Sequence, residues 1–205
     1  MANLKLITAL VTITSLILTG CVNQPKPGSP EAAALIEEKK IDKATENLEK
    51  RIEEEPKWAK ERPTNPGFLY GFGESLQDDI STARRSATLK AQVDIAGQIR
   101  QSVSNLTKGF QDQSTITATG NSDVYGEVNK RVIAELEIKR ASVKETKVIA
   151  VGGKVQAWVL VEYPEYEVKR EVVDQIKKDK EASQQANKLE LFKELEKEVE
   201  RMRNN

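Results

Sequence analysis

The chain has 205 residues, and its 32 basic side chains are matched by 32 acidic ones, which leaves no basic excess to recruit nucleic acid. Histidine is absent and cysteine occurs once, which excludes the usual zinc site and any Ser–His or Cys–His pair. The chain is therefore expected to be neither an enzyme nor dependent on a metal or cofactor, and its length suits one domain with extensions.

The first twenty residues stand apart. Lys5 is their only charged side chain, and Leu6 to Leu18 is an apolar run diluted only by Thr and Ser. Its thirteen residues fall short of the roughly 20 that a spanning helix needs, so residues 1–20 read as a secretory signal. The cut-site residues Leu18, Thr19, Gly20 and Cys21 resemble the bacterial lipobox, in which the cysteine is acylated and becomes the new N-terminus. A lone free thiol is awkward in an exported protein, and acylation removes the difficulty. Buried lipid gains about 0.8 kcal/mol per methylene, so one chain holds weakly and several hold firmly. The lipobox resemblance implies a diacylglyceryl group and an amide-linked acyl chain on Cys21, and thus a membrane partner through covalent lipid. Val22 stands where aspartate would retain an enteric-type lipoprotein on the inner membrane, so the outer membrane is expected, on its periplasmic or surface face.

Residues 21–30 form the lipidated tether, with prolines 25, 27 and 30 and Gly28 excluding regular structure. Ser29 and Pro30 then supply an N-cap and a first-turn proline for a charged helix over residues 31–55. Its apolar stripe, Ala34, Ile41, Ala44, Leu48 and Ile52, is thin, and Pro56 stops it. Pro56, Trp58, Pro63 and Pro66 mark an extended lead-in to residues 56–164. Phe68 to Ser75 reads as a strand, and Asp78, Asp79 and Ser81 precede a helix from about Thr82 to Leu106. In that helix Ala83, Ala87, Ala91, Ile95, Ile99 and Val103 repeat every four residues, a stripe small enough to lie close on a sheet. Thr107 to Ser122 is polar, and either a connection or a short edge strand over Ser114–Ala118 fits it.

A second helix is predicted from Asp123 to about Leu136, then two strands, Ala141 to Val151 and Lys154 to Tyr163, joined by a tight Gly152-Gly153 turn. In the latter strand Val155, Ala157, Val159 and Val161 make an aliphatic face opposite a mixed one. The expected class is α+β, a small antiparallel sheet packed on the alanine-striped helix with charged helices on either side. Residues 165–205 read as one charged helix reaching about 60 Å. Val168, Val172 and Ile176 would pack on the domain, Lys177 to Lys188 would be solvated, and Leu189, Phe192, Leu195 and Val199 would await a partner surface.

Pro56, Trp58 and Pro63, then Tyr70-Gly71-Phe72-Gly73, the alanines 83, 87 and 91, Ile95-Ala96 and the glycine-turned hairpin ending in Trp158-Val159-Leu160-Val161 together resemble the Lpp-twenty lipoprotein family. That family includes lipoproteins of flagellar outer-membrane disks, and the resemblance covers about half the chain. It implies a compact α+β domain and a non-catalytic envelope protein, some of whose relatives build rings or disks. The charged helix before Pro56 and the tail after Pro164 depart from the pattern.

Three sets of residues compete for a site. Gly71 and Gly73, with Arg84 and Arg85 near the following helix start, suit either an anion cradle, for which a lone Gly-x-Gly is thin support, or close approach of strand to helix. Trp58 and Trp158 suit either stacking on a sugar or peptidoglycan, or packing. Glu74, Asp78 and Asp79 are explained by capping better than by paired-acid catalysis. The distal stripe, Leu189, Phe192, Leu195 and Val199, is expected to bind a second copy or another envelope protein. The functions in view are a structural or assembly lipoprotein of the outer membrane, flagellar association included, and a ligand-binding envelope module that uses the Gly71–Gly73 loop.

Overall fold

The computed structural model describes residues 25–116, 123–138 and 141–203. The signal over residues 1–20 and Cys21 lie outside the described residues. Two units are distinguished, residues 1–42 and residues 43–205, and α1 (Pro30–Glu53) has its first half in one and its second half in the other. Its start follows from Ser29, whose Oγ accepts from the Ala32 amide at 3.2 Å while Pro30 fills the first helical position. None of its residues is buried.

In the second unit, α2 (Lys57–Lys60) is a single helical turn where the prolines predict extended chain. Then come β1 (Phe68–Gln77) and α3 (Ile80–Ile116). Asp79 caps α3, accepting from the Thr82 amide at 2.8 Å and the Ser81 hydroxyl at 2.7 Å. Those bonds hold its carboxyl far below the usual carboxylate range.

α3 is 37 residues long and overruns its expected end near Leu106. The cause lies in the polar residues themselves. Thr107 hides its hydroxyl by donating to the Val103 carbonyl at 2.9 Å and accepting from Asn129 at 3.1 Å. Phe110 and Ser114 then continue the buried stripe at full burial. The expected break after Leu106 is therefore corrected to continuous helix. Residues 114–116 are not strand, and residues 117–122 lie outside the described residues.

α4 (Asp123–Ile138) buries Tyr125, Val128, Val132 and Leu136 at near four-residue spacing. β2 (Ser142–Val151) and β3 (Lys154–Pro164) form the hairpin, with Gly152 and Gly153 at φ +57° and +79°, the left-handed pair that a type I′ turn requires. All three strands are antiparallel in the order β1-β3-β2. Phe68 pairs with Pro164 and Gln77 with Val155, while a bulge between Val143 and Glu145 interrupts the β2 ladder. The central position of β3 explains why Gln156 to Val161 are buried without alternation. Ala157, Val159, Val161 and Tyr163 join the α3 stripe in the main core. Gln156, Trp158 and Leu160 occupy the opposite face, so the fold is α+β with the sheet laid on the alanine stripe as the pattern predicts.

The tail is not one helix. It breaks into α5 (Glu165–Lys178), α6 (Lys180–Ala186) and α7 (Glu190–Arg203). Asp179 is extended at φ −90°, ψ 114°, and its side chain accepts from the Glu181 and Ala182 amides to start α6. Ala182 and Ala186 are fully buried, so the stretch expected to be solvated is part of the core. Among the described residues no helix is long and apolar enough to cross a membrane.

Candidate functional site

Strand β1 meets α3 through Gly71 and Gly73. A Cβ on Gly71 would lie 2.7 Å from the Ile95 Cβ and 2.9 Å from a Val161 methyl, and one on Gly73 would overlap the Ala87 carbonyl and Ala91 amide. Ala83, Ala87 and Ala91 are fully buried opposite them. Of the two sequence readings, close approach is what the geometry contains, and the glycine face is filled by helix backbone. Arg84 and Arg85 lie on the exposed side of α3. The outward edge of β1 is also partly occupied: the Phe72 amide donates to Asp94 at 2.9 Å, and the Tyr70 carbonyl accepts from Gln98 at 2.8 Å. Arg62 pairs with the same Asp94 at 3.1 Å. The anion that the strand amide meets is thus the chain's own carboxylate.

The three acids near β1 separate into unrelated tasks. Asp79 caps α3, Asp78 just past the end of β1 lies 3.8 Å from Lys154 at the start of β3, and Glu74 points to the opposite sheet face. There Glu74 sits 3.6 Å from Arg51 of α1 and accepts from the Gln156 amide at 3.3 Å. Gln156 is fully buried, and neither its Oε1 nor the Arg51 Nε has a hydrogen-bond partner among the described residues. A cavity of about 200 Å³ lies beside them, lined by Leu48, Arg51, Ile52, Glu55, Glu74 and Trp158. Sequence reasoning missed this cluster because Gln156 alternates with aliphatic residues and looks solvent-facing. The only available signal was the central position of β3, which periodicity does not reveal.

Both tryptophans pack. Trp158 is 1% exposed, and Trp58 sits edge-on to Phe72 with ring centroids 6.4 Å apart. Trp158 therefore presents no stacking face, while Trp58 remains partly exposed. Near the far end of the same sheet face Lys144 bonds Glu162 at 2.6 Å and the Tyr70 hydroxyl at 3.3 Å, and lies 5.1 Å from the Tyr70 ring centroid. The Glu162 bond is the main cause of its raised pKa.

The distal stripe requires a correction. Leu189, Phe192, Leu195 and Val199 are 1%, 1%, 5% and 7% exposed, and they face the chain's own core. Phe192 meets Phe110 of α3 edge-on at 6.0 Å, and the Leu191 amide donates to Gln113 at 3.3 Å. The surface that the stripe requires is the chain's own, α5 together with α3, reached because the tail breaks at Asp179 and again at residues 187–189. Lys169 and Glu198 pair at 2.9 Å between α5 and α7. These residues are consumed within the fold and present no contact surface.

The chain matches no protein-family model, no curated protein and no solved structure. The likeness to the Lpp-twenty lipoproteins therefore stands on the residues quoted for it above.

Proposed function

We propose that this chain is a lipid-anchored envelope protein of the Lpp-twenty kind, held on the outer membrane through Cys21 and serving a structural or assembly role. The observation that carries the reading is Leu18-Thr19-Gly20-Cys21 at the end of a thirteen-residue apolar run, with the chain's sole cysteine at the lipobox position. The fold supports a scaffold over a ligand-binding module, because the Gly71–Gly73 face that a cradle needs is packed against α3. Association through the tail stripe is given up, since those side chains are buried, but other apolar surface is open. Leu48 and Ile52 along α1 are 52% and 56% exposed.

Metabolic labelling tests the anchor. Cells fed radiolabelled palmitate should label the wild-type chain and place it in the outer-membrane fraction. Cys21→Ser should abolish the label and release the chain from membranes. Label persisting on Cys21→Ser, or a wild-type chain that takes up none, would reject lipid anchoring at this cysteine.

A further inference from the structure

The two edges of the sheet are treated differently. On β1 one outward amide, of Phe72, and one outward carbonyl, of Tyr70, are taken by Asp94 and Gln98 of α3. Along β2 no described residue bonds the backbone beyond the ladder with β3, and Ser142 to Thr146 are exposed. An edge left in this state is a template for another strand. The sequence at its middle says which one.

Glu145, Thr146 and Lys147 are complementary to themselves. If β2 lies antiparallel on β2 of a second copy about Thr146, each Glu145 falls opposite the other chain's Lys147 on the same face. Opposite charges directly across strands stabilise pairing, and a two-fold axis makes both pairs at once. Lys147 donates to the Glu54 carbonyl and, at 2.9 Å, to its carboxylate, and an ammonium has a third hydrogen to give. Glu145 has no ion pair with any described residue, and after the bulge beside it the ladder runs without interruption from Glu145 to Val151.

We infer that β2 is a self-association edge, and that two copies join antiparallel through Glu145 and Lys147 to make one continuous sheet. The inference rests on the assembly reading and narrows it to a partner and a surface. Charge reversal tests it. In light scattering of the full chain in mild detergent, the wild type should dimerise with concentration. Glu145→Lys and Lys147→Glu should each weaken the dimer by about tenfold or more, since each places like charges opposite at two positions. Mixing the two variants restores opposite signs at both positions and should return a mixed dimer.

Circular dichroism checks that each variant folds. Should Lys147→Glu unfold, Glu145→Lys at its exposed site carries the test alone, its dimer recovering as salt screens the repulsion. Both variants dimerising like the wild type, or a mixture that stays monomeric, would overturn the β2 edge while leaving assembly through another surface intact. A wild-type chain monomeric at every concentration would overturn self-association as well.

Discussion

A methyl group on Gly73 would collide with the Ala87 carbonyl and the Ala91 amide, which are backbone atoms held in the middle of α3. Overpacking in cores ordinarily costs about 1–3 kcal/mol, and here no side chain can swing aside to relieve it. Gly73→Ala should therefore lower stability by at least that cost, read as a lower urea midpoint with the slope unchanged. An unaltered midpoint would mean that β1 and α3 part easily. Asp179 offers a second test, because it accepts from two amides of α6 and from Arg131 at 3.0 Å. The Ala182 amide is the main cause of its lowered pKa. A lowered carboxylate stabilises the fold fully above its unfolded pKa and loses that effect as pH falls through the folded one. Asp179→Ala should thus cost about 1 kcal/mol at neutral pH. The gap between variant and wild type should narrow in unfolding curves taken near pH 3, and a gap constant with pH would assign the loss to packing. At this scale the glycines and the Asp79 cap were legible, since glycine between strand and helix and acid before a helix have local causes. Gln156 was not, because its burial depends on α1 and on a strand remote in sequence.

Elements were legible where one period held throughout. The alanine stripe of α3 and the Gly-Gly hairpin are written in spacing and turn chemistry alone. The end of α3 was not, because Thr107 looks polar in sequence yet is satisfied by Val103 and Asn129 in the fold. The tail misled for a related reason. A charged run with a distal apolar stripe suits a lone helix awaiting a partner or a folded-back one, and the difference lies in two short breaks, at Asp179 and at residues 187–189. The edge contact of Phe192 with Phe110 makes the folded-back form testable. Phe192→Ala should destabilise the domain by about 3–5 kcal/mol, measured by thermal or urea unfolding. A solvated tail would lose almost nothing.

For the second unit as a whole, the α+β class and the helix-on-sheet layer followed from the patterning, whereas the extent of the core did not. Periodicity reports which face of an element is apolar but not which other element covers it, and the tail from Val168 to Val199 contributes ten of the buried hydrophobic side chains. The strand order β1-β3-β2 carries a further consequence, one of timing. β1 emerges first from any machine that delivers the chain N-terminus first, yet its only strand neighbour is the last to appear. Gln77 meets Val155 across 77 intervening positions, and Phe68 waits for Pro164. A nascent chain that stops at the Gly152-Gly153 turn therefore has two strands and no sheet. Loops this long close slowly, and an unpaired apolar strand is sticky while it waits. The topology thus keeps the chain threadable until nearly all of it has passed, and then lets a single late strand close the sheet.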